Sequence, residues 1–233
     1  YMPAFGSLAT APHAGHTWEM DSTPADIQTS DGKRCSIVAA IDVYSRRVII
    51  VVANTSNSNT VAMCIRKGLM TFGKPEKIRK DNGADYSSKH ITAITTGLQI
   101  DTPKLPPYSP EHKGIIERFF RTLSTDLEEM LPGYTGHSVP ERAALRAQKT
   151  WAKRVFTRPE GWRCGDKKVA IDVPLTQGEF MHLIECWIDV YEDRVHSGFA
   201  NEPGRKLKGL TPRQAFEQSP NKPKIFRDER MLD

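Results

Sequence analysis

The chain has 233 residues, 38% of them hydrophobic and 26% charged, which is the balance of a folded domain and excludes disordered and collagen-like classes. No apolar run approaches the roughly 18 residues that span a bilayer, and no signal-peptide pattern opens the chain. Cys35, Cys64, Cys164 and Cys186 are scattered without a Cys-x-x-Cys pair, which argues against a disulfide framework and for a reduced, cytoplasmic setting. The net charge of +5 is compatible with a nucleic-acid partner without requiring one.

Residues 1–15 are rich in Gly, Ala and Pro and read as an N-terminal linker. Three strands follow, His16 to Asp26, Arg34 to Tyr44 and Arg47 to Asn54. The first two are joined by a turn at Ser30-Asp31-Gly32, and the last two, separated by Ser45-Arg46 alone, form an antiparallel hairpin. Val61, Ile65, Leu69 and Phe72 recur at helical spacing over Asn57 to Phe72, with Ser58 or Asn59 as the N-cap and Gly73 and Pro75 as the stop. Glu76 to Lys80 reads as a short strand, Ser87 to Leu98 as a helix, and Gln99 to Leu105 as another short strand. A helix runs from Pro110 to about Met130.

Beyond Leu131-Pro132-Gly133 the pattern changes. Pro140 to Phe156 is helical, Thr157 to Asp172 irregular and basic, and Thr176 to Val195 helical with an apolar stripe through Phe180, Ile184, Trp187 and Tyr191. Thr211-Pro212 opens a short final helix, and Gln218 to Asp233 reads as an exit linker. Between Arg142 and Lys168 nine basic residues face two acids, a local excess of +7 that exceeds the net charge of the whole chain. A solvated helix face and a phosphate-contacting surface both fit that segment.

Three acids stand in suggestive places. Asp21 ends Trp18-Glu19-Met20-Asp21 in an alternating strand, where an ionised carboxylate entering a core is costly unless paired or metal-bound. Asp81 closes Ile78-Arg79-Lys80-Asp81-Asn82-Gly83 at the carboxyl end of a strand, in a sequence that also suits a plain Asn-Gly turn. Glu117 lies on a helix, separated from Asp81 by 35 residues, and repeats every four residues with Lys113 and Arg121. That repeat alone could be a surface ion-pair ladder worth tenths of a kcal/mol. Glu111 is a rival acid near the helix start, and His112 is either a substrate contact or an exposed loop residue. Asp26, Asp31 and Asp85 read as cap, turn and solvent residues, and Asp42 as a turn stabiliser. Carboxylates on separate elements suit two divalent ions about 3.5–4 Å apart in phosphoryl transfer, and all-oxygen ligands favour Mg²⁺, with Mn²⁺ as substitute, over zinc. His13-x-x-His16 and His182-x-x-x-Cys186 have ligand spacing but no second pair.

The order strand–carboxylate, strand–carboxylate, helix–carboxylate resembles the DDE transposase and retroviral-type integrase superfamily, whose commonest interval is the one between Asp81 and Glu117. Trp18 to Asp26, Ile41 to Arg47, Leu131 to His137 and Tyr191 to Gly198 look like the cores of Mu-like phage transposases, over roughly His16 to Glu217. Lys80 departs from the small residue usual before Asp-Asn-Gly. The resemblance implies an α/β, ribonuclease H-like fold: a mixed five-stranded sheet flanked by helices, with a helical basic C-terminal extension. Residues 16–200 would be the catalytic core, with a basic insertion at about 134–172, and 201–233 a short helix and linker. It implies that Asp21, Asp81 and Glu117 bind metal and catalyse, nicking element ends with water and joining the freed 3′-hydroxyl to target DNA. Lys113, Arg121, Lys149, Lys153 and Arg154 would contact DNA. Retroelement integrase, a ribonuclease H-like nuclease and an inactive DNA-binding relic are the alternatives. Tyr1 in place of Met and the linker-like ends lead us to expect a fragment that lacks end-reading domains and becomes a homo-oligomer only in the full assembly.

Overall fold

The computed structural model describes residues 11–81, 83–103, 113–131, 133–138, 140–141, 143, 175–201 and 206–226. Strands β1 (Thr17–Gln28), β2 (Arg34–Asp42) and β3 (Val48–Ala53) form an antiparallel meander. After helix α1 (Ser58–Thr71), strand β4 (Lys77–Arg79) adds parallel to β1, which gives the order β3-β2-β1-β4. Helices α2 (Lys89–Gly97), α3 (Gly114–Asp126), α4 (Gln177–Glu192) and α5 (Pro212–Glu217) complete the described elements, with single 3₁₀ turns at Glu128–Met130 and Ser197–Asn201.

Period-two alternation divides the sheet between two cores. On one face Trp18, Met20, Val38 and Ala40 pack against Val61, Ile65 and Leu69 of α1. On the other Ile37, Ala39 and Ile41 pack against Ile116, Phe119 and Leu123 of α3 and Phe180, Ile184 and Trp187 of α4. β2 is buried on both faces from Ile37 to Asp42, and each such Ile or Val contributes about 1.5–3 kcal/mol on burial. α1 approaches β1 closely because Gly68 has no side chain: a Cβ there would meet the Trp18 ring at 2.7 Å. Among the described residues, no helix is long and apolar enough to cross a membrane.

Among the described residues four strands form where five were expected. The stretch expected as a strand over Gln99 to Leu105 contributes a single bridge, Asp101 to Lys77, held by Ile78 N–H to Asp101 O at 2.8 Å and Asp101 N–H to Glu76 O at 2.9 Å. Gln99 has a left-handed φ of +54°, and Pro103 has no N–H to donate, which fits a single bridge over the described residues 99–103. The N-cap of α1 is Asn57, whose side chain accepts from Thr60 N–H, rather than Ser58 or Asn59. Most of the helix expected over 140–156, the basic stretch beyond it, Glu111 and His112 lie outside the described residues.

Two further placements position the ends. Ala11 and Ala14 are buried, and Ala14 N–H donates to Ser219 Oγ at 2.8 Å. Lys74 N–H then donates to Lys224 O at 2.9 Å, so the stretch over 219–224 lies against the N-terminal segment and the end of α1.

Candidate active site

The β2–β3 connection explains why Asp42 is spent on structure. It is fully buried, accepts from Gly15 N–H at 2.8 Å and from Ser45 N–H and Oγ at 2.8 and 2.6 Å, and burial pushes its carboxyl up. Asp31 likewise closes its own turn through Thr29 Oγ1 and Lys33 N–H. Asp26 departs from the expected cap role. It is buried, ion-paired with Arg34 at 2.6 Å and within 2.8 Å of His137 Nδ1. Beside it Glu128 accepts from Asp26 N–H at 3.3 Å, and burial next to Asp26 pushes Glu128 up to about 7. This group ties the end of β1 to the segment after α3.

Asp21 sits in β1 on the α3 face, paired in register with Ala39. Asp81 follows β4, whose Arg79 is in register with Glu19 of β1, so the chain two residues further on brings Asp81 level with Asp21 in the middle of β1. They meet at one cation. Lys113 Nζ lies 3.6 Å from Asp21 Oδ1 and 3.5 Å from Asp81 Oδ1. Asp21 Oδ1 also accepts from Ser22 N–H at 2.9 Å. Burial pushes the Asp21 carboxyl up, and the Lys113 ammonium partly opposes it. Lys80, before Asp81, folds its ammonium back onto the Tyr86 carbonyl and so fixes the loop that follows Asp81.

Lys113 is the N-cap residue of α3, and Glu117 and Arg121 follow it at intervals of four along that helix, both exposed. Among the described residues no ion pair joins Glu117 to Lys113 or Arg121, so the ladder that this spacing also allowed is not formed. Lys113 turns to the two aspartates instead. No three His, Cys, Asp or Glu side chains among the described residues are close enough to hold a metal. Asp21 and Asp81 are thus brought together, and Glu117 stands one helical turn beyond the lysine that joins them. Lys149, Lys153 and Arg154 lie outside the described residues.

Glu19 is the residue that sequence reasoning missed. Lys113 makes no side-chain cap for α3, and Glu19 fills that role from β1. Ile116 N–H donates to Glu19 Oε2 at 3.1 Å, and Arg79 of β4 lies 3.8 Å from Oε1. Burial pushes Glu19 up to about 7, opposed by the Ile116 hydrogen bond, Arg46 and Arg79. One buried carboxylate therefore ties together β1, β4 and the first turn of α3, the three elements that carry Asp21, Asp81 and Glu117. Its strand alternation with Asp21 was the available signal, since Glu19 and Asp21 share a face.

Residues 67–133 match the TnsB C-terminal domain family. The Gag-Pro-Pol polyprotein of squirrel monkey retrovirus is 29% identical over 124 residues, covering 53% of this chain and 6% of the polyprotein. The transposase of transposon Tn552 from Staphylococcus aureus is 28% identical over 135 residues, covering 52% of this chain and 28% of the transposase. The chain therefore spans less than a third of the length of either curated relative. The HTLV-2 integrase catalytic core domain, solved in complex with magnesium in a trimeric form, aligns with a TM-score of 0.51 at 14% identity, covering 87% of this chain and 96% of that one. That likeness is one of fold, the ribonuclease H-like arrangement of integrase cores.

Proposed function

We propose, from a core of the retroviral integrase and Tn552 transposase kind, that this chain is the DNA-cutting and DNA-joining part of a transposase of the Mu-like phage type. The observation that carries the reading is the convergence of Asp21 and Asp81 on one ammonium, at 3.6 and 3.5 Å. Two carboxylates that already share a cation fit a hard divalent ion. Asp21, Asp81 and Glu117 would hold Mg²⁺, or Mn²⁺ in its place, as two ions, with Glu117 joining from its exposed position on α3. When bound, such ions activate the attacking oxygen and stabilise the leaving one.

The chain's own residues supply position and charge. Glu19 holds the first turn of α3 against β1 and β4. Lys113, on leaving the aspartates, and Arg121 face the DNA backbone and offset phosphate charge. Water attacks a phosphodiester at the element end and breaks the bond to the 3′-oxygen, which leaves as a free hydroxyl. That hydroxyl attacks a target phosphodiester and displaces a new 3′-hydroxyl. No covalent link to the protein forms. Flanking end-reading domains, a cytoplasmic setting and homo-oligomeric assembly on paired ends belong to the same proposal, and the isolated chain is expected to nick only weakly with Mn²⁺.

The test is a joining assay with the chain in its full-length context, a duplex bearing the element end and a labelled 3′ terminus, in Mg²⁺. Asp21→Asn, Asp81→Asn and Glu117→Gln should each abolish nicking and joining while DNA binding persists. Wild-type joining by any one variant removes that residue from the site. Nicking without transfer of label would make the protein a nuclease, and neither reaction a DNA-binding relic.

A further inference from the structure

A second basic site lies beside the first, and nothing in the three-acid scheme uses it. Between the first turns of α3, the end of α4 and the 3₁₀ turn after it is an open cavity of about 330 Å³. Arg46, Arg118, Arg194 and His196 line it, and no carboxylate does among the described lining residues. Its floor is apolar, formed by Ile41, Phe119 and Tyr191.

The four basic groups are held differently. Arg46 is buried, with a left-handed φ of +66°, and its guanidinium donates to the Val43 carbonyl. Arg194 pairs with Asp126 at 3.0 Å through its Nη1 and is largely exposed. Arg118 is exposed and has no ion pair among the described residues. His196 is oriented by its neighbours: Gly198 N–H donates to Nδ1 at 3.1 Å, and the ring stands edge-on to Tyr191 and against Phe199. A Cβ at Gly198 would lie 2.8 Å from His196 Cε1, so that position requires glycine if the ring is to stay. Burial, with Arg46 and Arg118 beside it, pushes His196 down to about 4, so at neutral pH the ring is uncharged. Because Nδ1 accepts, the remaining proton sits on Nε2, a hydrogen-bond donor.

The exposed Arg118, an Arg194 that would exchange Asp126 for the ligand, and the His196 N–H, with the buried Arg46 adding positive charge behind them, make a receptor for an oxyanion. The cavity adjoins Gly114 and Ile115, directly after Lys113, the residue that spans Asp21 and Asp81. We infer that this cavity binds a backbone phosphodiester of the DNA strand engaged at Asp21 and Asp81, held chiefly by Arg118, Arg194 and His196. This rests on the proposed function for the identity of the polyanion, and not for the existence of the site. A phosphate held there would fix the strand's register, because α3 carries both Arg118 and Glu117.

The experiment measures duplex binding by fluorescence anisotropy between 50 and 200 mM salt, for the wild type and Arg118→Gln/Arg194→Gln. Both substituted side chains are exposed, so the fold should persist, which circular dichroism checks. The variant should lose affinity by about tenfold at 100 mM salt, and its log–log salt slope should be shallower by about one, as expected for one lost phosphate contact. In ¹⁵N-histidine spectra of the wild type, the His196 Nε2 resonance should move on adding the duplex. An unchanged salt slope overturns the inference. So does a His196 resonance that responds to inorganic phosphate while the variant binds duplex as the wild type does, since the cavity would then take free phosphate and not the strand. Binding is read without turnover, so a wild type that fails to join DNA would refute the proposed reaction and leave this comparison standing.

Discussion

Replacing Glu19 tests whether one buried carboxylate sets the geometry of the site. Glu19→Leu keeps the volume and removes the acceptor. Ile116 N–H, now 3.1 Å from Oε2, would be buried without a partner. An orphaned buried donor costs about 1–3 kcal/mol, and losing an acid from a helix N-terminus about 0.3–1 kcal/mol more. Relief of the carboxyl's own desolvation opposes these, so the net loss should be about 1–2 kcal/mol by urea unfolding. The local effect should be larger than the global one, because the first turn of α3 is what Glu19 fixes. Exchange at the Ile116 amide should accelerate more than exchange in β2, and DNA joining should fall by at least tenfold, since a shift of about 1 Å at a reacting group costs about 10²-fold. Glu19→Gln retains an acceptor and should stay within about 0.5 kcal/mol of the wild type, with joining nearly preserved. If Glu19→Leu exchanges and joins like the wild type, the capping argument is wrong. If Gln is as damaging as Leu, the charge beside Arg79 matters rather than the hydrogen bond.

Lys113→Met should cost less than about 1 kcal/mol without metal, and it should tighten Mn²⁺ binding measured by calorimetry, because the ammonium competes for Asp21 and Asp81; weaker binding would contradict that. Glu128, raised from 4.5 to about 7 by burial, holds its proton more tightly folded than unfolded, so its contribution is full below about 4.5 and fades as pH rises through 7, by about 3 kcal/mol in all. Glu128→Gln should remove that slope, read as the difference from wild type in urea midpoints at pH 5 and pH 8. Neutralising Lys149, Lys153 and Arg154 together should weaken DNA binding and flatten its salt dependence; an unchanged slope would make the segment from Arg142 to Lys168 a solvated surface.

The meander and the helices of this fold were legible because their signals are local. Alternation in β1 and the near-continuous apolar run of β2 and β3 have few other solutions, and α4 and α5 begin where Thr176 and Thr211 stand, each Thr closing a capping box in the structure. Asp21 and Asp81 stood out for a related reason, as a charge inside an alternating strand and a charge at the carboxyl end of another. Long-range partners were not legible. Glu19 and Ile116 are 97 residues apart, and no spacing rule joins a strand acid to a distant helix amide. Asp26 read as a cap residue because its partners, Arg34 and His137, are fixed only by the folded sheet. The fifth strand, expected over Gln99 to Leu105, gives one bridge among the described residues because of backbone detail: Gln99 takes a left-handed φ and Pro103 lacks an N–H.

The central claim is that Asp21, Asp81 and Glu117 form one divalent-metal site, and anomalous diffraction from crystals soaked in Mn²⁺ tests it most directly. Mn²⁺ is expected between Asp21 and Asp81, with Lys113 Nζ displaced from its present 3.6 and 3.5 Å contacts and the Glu117 carboxylate drawn in as a ligand. Lys113 unmoved between the two aspartates, with no anomalous peak beside them at saturating Mn²⁺, would contradict it.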